Sequence, residues 1–207
     1  QAVDDEITVP LKYIPRIANV TLDDEKVRAI DEYYKQCSDE GATEDDIAAS
    51  KKAMSAMEII LADDGRLERL AKDIIEHYTS ACDNKADVVQ KAMIVCSKRH
   101  IGYKLLSKFQ ALKPEWFEEK KSSDDSKLDA DTLKKLPLMP TIAMVATRGK
   151  NDPKDMYDYL GEKARTKQLE DAFKMEHSNF RIVIVVDMWI TGFDVPCLTY
   201  LYNDKPL

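Results

Sequence analysis

Three short, uninterrupted apolar runs constrain this chain most: Ala92-Met93-Ile94-Val95-Cys96, Thr141-Ile142-Ala143-Met144-Val145-Ala146 and Ile182-Val183-Ile184-Val185-Val186. A strand that is apolar at every position has no face to offer water, so both of its faces must be covered, as in parallel sheets. Each run ends in a polar turn. Helical spacing lies between them, at 101–112 with Leu105 and Phe109 inward and again at 165–175. A fourth run, 198–202, closes the series. Strand and helix in alternation predict an α/β domain with a mainly parallel sheet covered on both faces, in three layers. At 207 residues with 44% hydrophobic content, the chain is long enough to bury such a core.

Before residue 89 the pattern differs. Residues 7–17 alternate through Val9, Leu11 and Tyr13 but include two prolines, which suits an extended arm or edge strand over 1–18. A helical annex is expected over 19–88. Its first helix carries Val27, Ile30, Tyr34 and Cys37 at spacings of three and four, and its second starts at Thr43 and carries Ile47, Met54, Met57 and Leu61. A third, over 66–81, lines up Leu67, Leu70, Ile74 and Tyr78. These stripes should pack on one another and on the sheet domain, which would occupy 89–207. The run at 118–135 is almost wholly charged or small and polar, so it reads as a mobile surface insertion.

The net charge of −7 excludes a uniformly basic clamp for nucleic acid, so any such contact must come from local basic clusters. Cys37, Cys82, Cys96 and Cys197 are widely separated with no CxxC pair, which argues against a metal site or disulfide framework. No apolar run approaches the roughly 18 residues that a membrane span needs. A reduced, cytoplasmic setting is the expectation. Gln1 in place of Met, and a last strand running directly into Lys205-Pro206-Leu207, read as the limits of a piece of a longer chain.

Ligands of parallel α/β sheets gather beyond the carboxyl ends of the strands. Three segments sit there: Ser97-Lys98-Arg99-His100, Thr147-Arg148-Gly149-Lys150, and the stretch from Asp187 to Pro196 containing Thr191, Gly192, Phe193 and Asp194. The first two combine a hydroxyl with basic groups, and the first also opens a helix, whose free N–H groups favour an anion. A phosphate backbone is the natural partner, with Ser97 and Thr147 as donors and Arg99, Arg148 and Lys150 supplying charge. In the third segment Gly192 permits positive φ or close approach, Asp194 can accept from a ribose hydroxyl or an arginine, and Pro196 restricts Val195. The same residues also suit a plain strand connection. A nucleotide or small-molecule binding α/β module, or a helical interaction adaptor built on 23–81, are the competing readings, the former weakened by the lack of GxGxxG.

The succession of the helix at 165–173, the strand at 180–186 and the glycine-aspartate loop resembles motif V and its approach in the second RecA-like lobe of superfamily-two helicases. Within that group, DMWITGFDVPCLTYLYNDKPL looks like the R subunit of type I restriction enzymes, which pumps DNA and cuts it. ITVPLKYIPR, KAMIVCSKRH, LKPEW and ATRGKNDPKDMYDYLG are similar to that family in the same order. The resemblance implies a second motor lobe that stops before motif VI. In the intact protein, ATP and Mg²⁺ would sit between it and a first RecA-like lobe. Ser97, Lys98, Arg99, His100, Thr147, Arg148, Gly149 and Thr191 would then face double-stranded DNA, and Gly192 and Asp194 would couple DNA to the ATP cleft. The resemblance also implies a nuclease domain in the same polypeptide, and modification and specificity subunits as partners. No GxxxxGK[ST] occurs here, so the chain alone is expected to be catalytically silent, with no bound cofactor. Val186 precedes Asp187 where many helicases have threonine.

Overall fold

A computed structural model describes Lys12, Ile14 and residues 57–84, 89–122, 128–189 and 192–205. The arm at 1–18 apart from Lys12 and Ile14, the annex helices up to residue 56, part of the polar insertion (123–127) and Thr191 lie outside the described residues.

Residues 57–61 are helical, with Met57 exposed and Leu61 against the core. Helix α1 (Asp64–Asn84) follows, with Asp63 Oδ1 accepting the N–H of Arg66 in its first turn. Next come β1 (Lys91–Cys96), α2 (Arg99–Leu112) and a 3₁₀ turn (Pro114–Phe117). Beyond them lie α3 (Ala130–Lys135), β2 (Ile142–Val145), α4 (Lys154–Leu160) and α5 (Lys163–Lys174), then β3 (Ile182–Val185) and β4 (Leu198–Asp204).

The four strands form one sheet in the order β2-β3-β1-β4, parallel throughout. The expected α/β, RecA-like layering is therefore what the chain adopts. Every residue of β1, β2 and β3 is buried, and alternate side chains enter different cores. Ala92, Ile94, Ile142, Met144, Ile182 and Ile184 meet α1, α2 and α4 on one face. Met93, Val95, Ala143, Val145, Val183 and Val185 meet Leu169, Ala172 and Phe173 of α5 on the other. Full burial of each valine, isoleucine or methionine among them is worth about 1.5–3 kcal/mol, which is why the uninterrupted apolar runs specify this arrangement. Helix α1, expected within the annex, lies directly on the sheet through Leu67, Ala71, Ile74 and Tyr78.

Two details anchor the layers. Lys91, wholly buried at the start of β1, donates from Nζ to the carbonyls of Phe173 (2.7 Å) and Met175 (2.7 Å) and to Ser178 Oγ (3.2 Å). It thereby satisfies carbonyls that the end of α5 leaves open. The polar insertion is closed at its base by an antiparallel bridge between Lys120 and Met139, and Asn179 Nδ2 donates to Met139 O. Within it, Asp129 caps α3 by accepting from the N–H groups of Asp131 and Thr132.

Candidate functional site

Parallel pairing with level register brings the strand ends together. Val95 and Val145 both sit opposite Val185, and Cys96 sits opposite Asp204. Ser97–His100, Thr147–Lys150 and Asp187 therefore leave the sheet along one edge, together with Lys205 after β4.

The first two loops are joined by a residue the sequence did not single out. Asp152 Oδ1 accepts from Arg99 Nη2 (2.8 Å) and Nε (3.2 Å), while Asp152 Oδ2 accepts the Gly149 N–H at 2.6 Å. Burial pushes the Asp152 carboxyl upward, but the Gly149 N–H and the Arg99 guanidinium outweigh it and hold the group below the usual carboxylate range. Glycine at 149 leaves room for this packing. A Cβ there would come within 2.9 Å of both Arg99 Cζ and Asp152 Oδ1. The signal available in the sequence was an aspartate three residues after Gly149 and just before Pro153 at the start of α4, a common turn pattern with no stated partner.

The other expected residues are variously engaged. Arg148 lies 4.4 Å over the Tyr157 ring and 3.8 Å from a Glu162 carboxylate oxygen. His100 Nε2 is 3.4 Å from Glu58 Oε1. Lys98 and Lys150 are exposed, and no carboxylate among the described residues pairs with either. Lys98 occupies the N-cap position of α2 without a side-chain cap, and Ser97 Oγ is buried with no hydrogen-bond partner among the described residues. Thr147 Oγ1 approaches Met188 Sδ at 3.8 Å, linking the β2 loop to the β3 exit.

The third segment does not stay on the rim. It leaves at Asp187, whose carboxylate pairs with Lys205 Nζ at 2.9 Å, then folds down over α5. Trp189 and Phe193 stack at 4.4 Å, each 6.2 Å from Phe173, and Val195 is buried in that same core. Asp187 (φ 51°), Trp189 (φ 60°) and Gly192 (φ 68°) all take left-handed backbone, which is costly for a side chain as large as tryptophan. Gly192 and Asp194 are exposed, with open space where a Gly192 Cβ would lie. The Arg99 and Gly149 loops are thus in direct contact, whereas Gly192 and Asp194 sit apart on the α5 side.

Residues 118–207 match the family described as type I restriction enzyme subunit R domain 3. The chain is 30% identical over 97% of its length to the "Putative type I restriction enzyme MjaIXP endonuclease subunit" of Methanocaldococcus jannaschii. It is 34% identical over 72% of its length to the type I restriction enzyme HindI endonuclease subunit of Haemophilus influenzae. The chain belongs to the type I restriction enzyme R-subunit family. It spans 17% and 12% of those two relatives. In this R-subunit chain the family match begins at the polar insertion and takes in both the Thr147–Asp152 loop and the strained β3 exit. No helix among the described residues is long and apolar enough to cross a membrane.

Proposed function

We propose that this chain is the second RecA-like lobe of the ATP-dependent DNA translocase in a type I restriction R subunit, contacting the duplex backbone along the carboxyl edge of its sheet. The observation that carries this reading is the shared edge: two basic loops, one opening a 14-residue helix, lie side by side where the β1 and β2 ends are level. Ser97, Lys98, Arg99, His100, Thr147, Arg148, Gly149 and Thr191 form the DNA-facing set, and Gly192 and Asp194 the coupling set. ATP and Mg²⁺ would supply the driving hydrolysis in the intact protein, held largely by a first lobe. From this chain, the exposed Asp194 carboxylate and the open backbone at Gly192 suit the facing wall of that cleft. The first lobe and nuclease domain of the same polypeptide, the modification and specificity subunits, and a cytoplasmic setting complete the reading.

A direct test is anisotropy of a labelled DNA duplex titrated with the 207-residue chain at several salt concentrations. Weak binding whose logarithm falls linearly with log salt is expected, together with negligible ATP hydrolysis. Binding indifferent to salt, or turnover comparable to that of an intact motor, would contradict the proposal.

A further inference from the structure

We infer that Arg99 serves this edge as a brace anchored on Asp152, leaving Lys98 and Lys150 as the cations that meet an anionic backbone. The inference rests on the DNA reading and refines it, taking Arg99 out of the set that touches the backbone and adding Lys150 to it. Four observations lead here. The Asp152 side chain is only 5% exposed, so its charge requires a fixed partner, and Arg99 supplies it through two nitrogens. The other carboxylate oxygen is occupied by the Gly149 N–H, so one side chain ties the loop after β1 to the loop after β2. The Arg99 guanidinium also lies over Gly149, in the space a side chain there would fill. Arg148 has Tyr157 and Glu162 as neighbours, whereas Lys98 and Lys150 are exposed on either flank with no carboxylate among the described residues. Asp152 is accordingly a positioning residue: it sets the spacing of the two loops and withholds one positive charge from the ligand.

The slope of log affinity against log salt separates these roles, because each released phosphate contact changes it by about 0.9. Lys98→Gln and Lys150→Gln should each flatten the slope by about that amount. Arg99→Gln should weaken binding without altering the slope. Asp152→Asn keeps an acceptor for Gly149 but removes the charge that holds Arg99, so the slope should steepen by about 0.9, and adding Arg99→Gln should restore it. A flattening by Arg99→Gln equal to that of Lys98→Gln, or no steepening in Asp152→Asn, overturns the assignment. If the unaltered chain fails to bind duplex at all, the DNA reading falls, and the brace is decided by stability alone. Arg99→Gln should then raise the unfolding equilibrium constant about threefold more in the unaltered chain than in Asp152→Asn. Additive effects would dismiss the brace as well.

Discussion

Arg66, in the first turn of α1, and Asp204, the last residue of β4, form a buried two-pronged ion pair that pins the helix layer to the edge of the sheet. Arg66 Nη1 also donates to Leu61 O at 3.1 Å, drawing in the preceding helix. Burial raises the Asp204 carboxyl pKa even with the guanidinium in contact, so the pair sits where water cannot rescue a lone charge.

Removing one partner should therefore hurt more than removing both. Asp204→Ala is expected to destabilise the chain by about 3–5 kcal/mol, because it strands a buried guanidinium. The double replacement Arg66→Met with Asp204→Leu should recover most of that loss. Urea denaturation of the three proteins checks this, and equal destabilisation by single and double variants would refute it.

Lys91 makes a pH prediction. Burial lowers its pKa to about 7, whereas an unfolded lysine titrates near ~10.4. Between those values the unfolded chain binds more protons, so stability should rise with pH above about 7, with a limiting slope of about 1.4 kcal/mol per pH unit. The thiol of Cys96, pushed up by burial, adds an opposing trend above about pH 9, so pH 7–9 is the window to examine. In Lys91→Met the rise should vanish, and stability should drop at every pH because the Phe173 and Met175 carbonyls lose their donor. Unfolding midpoints across pH 7–9 in both proteins decide the matter.

Much of the fold was legible because its information is local. Runs such as Ile182–Val185 announce a doubly covered strand without reference to anything distant. Charges inside the layers were not legible. Lys91 reads as the polar residue before an apolar run, yet it is the first residue of β1 and caps a helix end more than 80 residues later. Asp204 reads as the end of a strand, and its partner lies 138 residues earlier. The site divides in the same way. Placing Ser97 and Thr147 at strand ends needed only the strand pattern, but finding that Arg99 is held by Asp152 needed the two loops side by side. The descent of the β3 exit over α5 depends on Trp189 and Phe193 stacking beside Phe173, and aromatic spacing alone does not specify that contact.

Two glycines should respond to alanine for different reasons. Gly192→Ala meets open space but holds φ at +68°, so its cost is backbone strain alone, about 1–2 kcal/mol whatever its neighbours. At Gly149 no positive φ is involved, and the new methyl instead strikes the Arg99 guanidinium and Asp152. Its cost, about 1–3 kcal/mol, should shrink when Arg99→Gln is added. Denaturation midpoints of the singles and the double test this, and a Gly149 penalty independent of Arg99 would count against the packing described.

A change at Asp194 can tell folding apart from the proposed coupling. The residue is exposed in a loop whose anchoring falls to Phe193 and Val195 on either side, both in the α5 core. Asp194→Ala should thus change stability by no more than about 0.5 kcal/mol, as surface substitutions away from special features do. If the carboxylate couples the two lobes, the same change in the intact R subunit should suppress ATP-driven movement along DNA while duplex binding persists. Triplex displacement on linear DNA would follow movement, and anisotropy would follow binding. Unimpaired movement with a normal fold would remove Asp194 from the coupling set and leave Gly192, whose left-handed backbone sets the shape of the loop, as the residue to pursue.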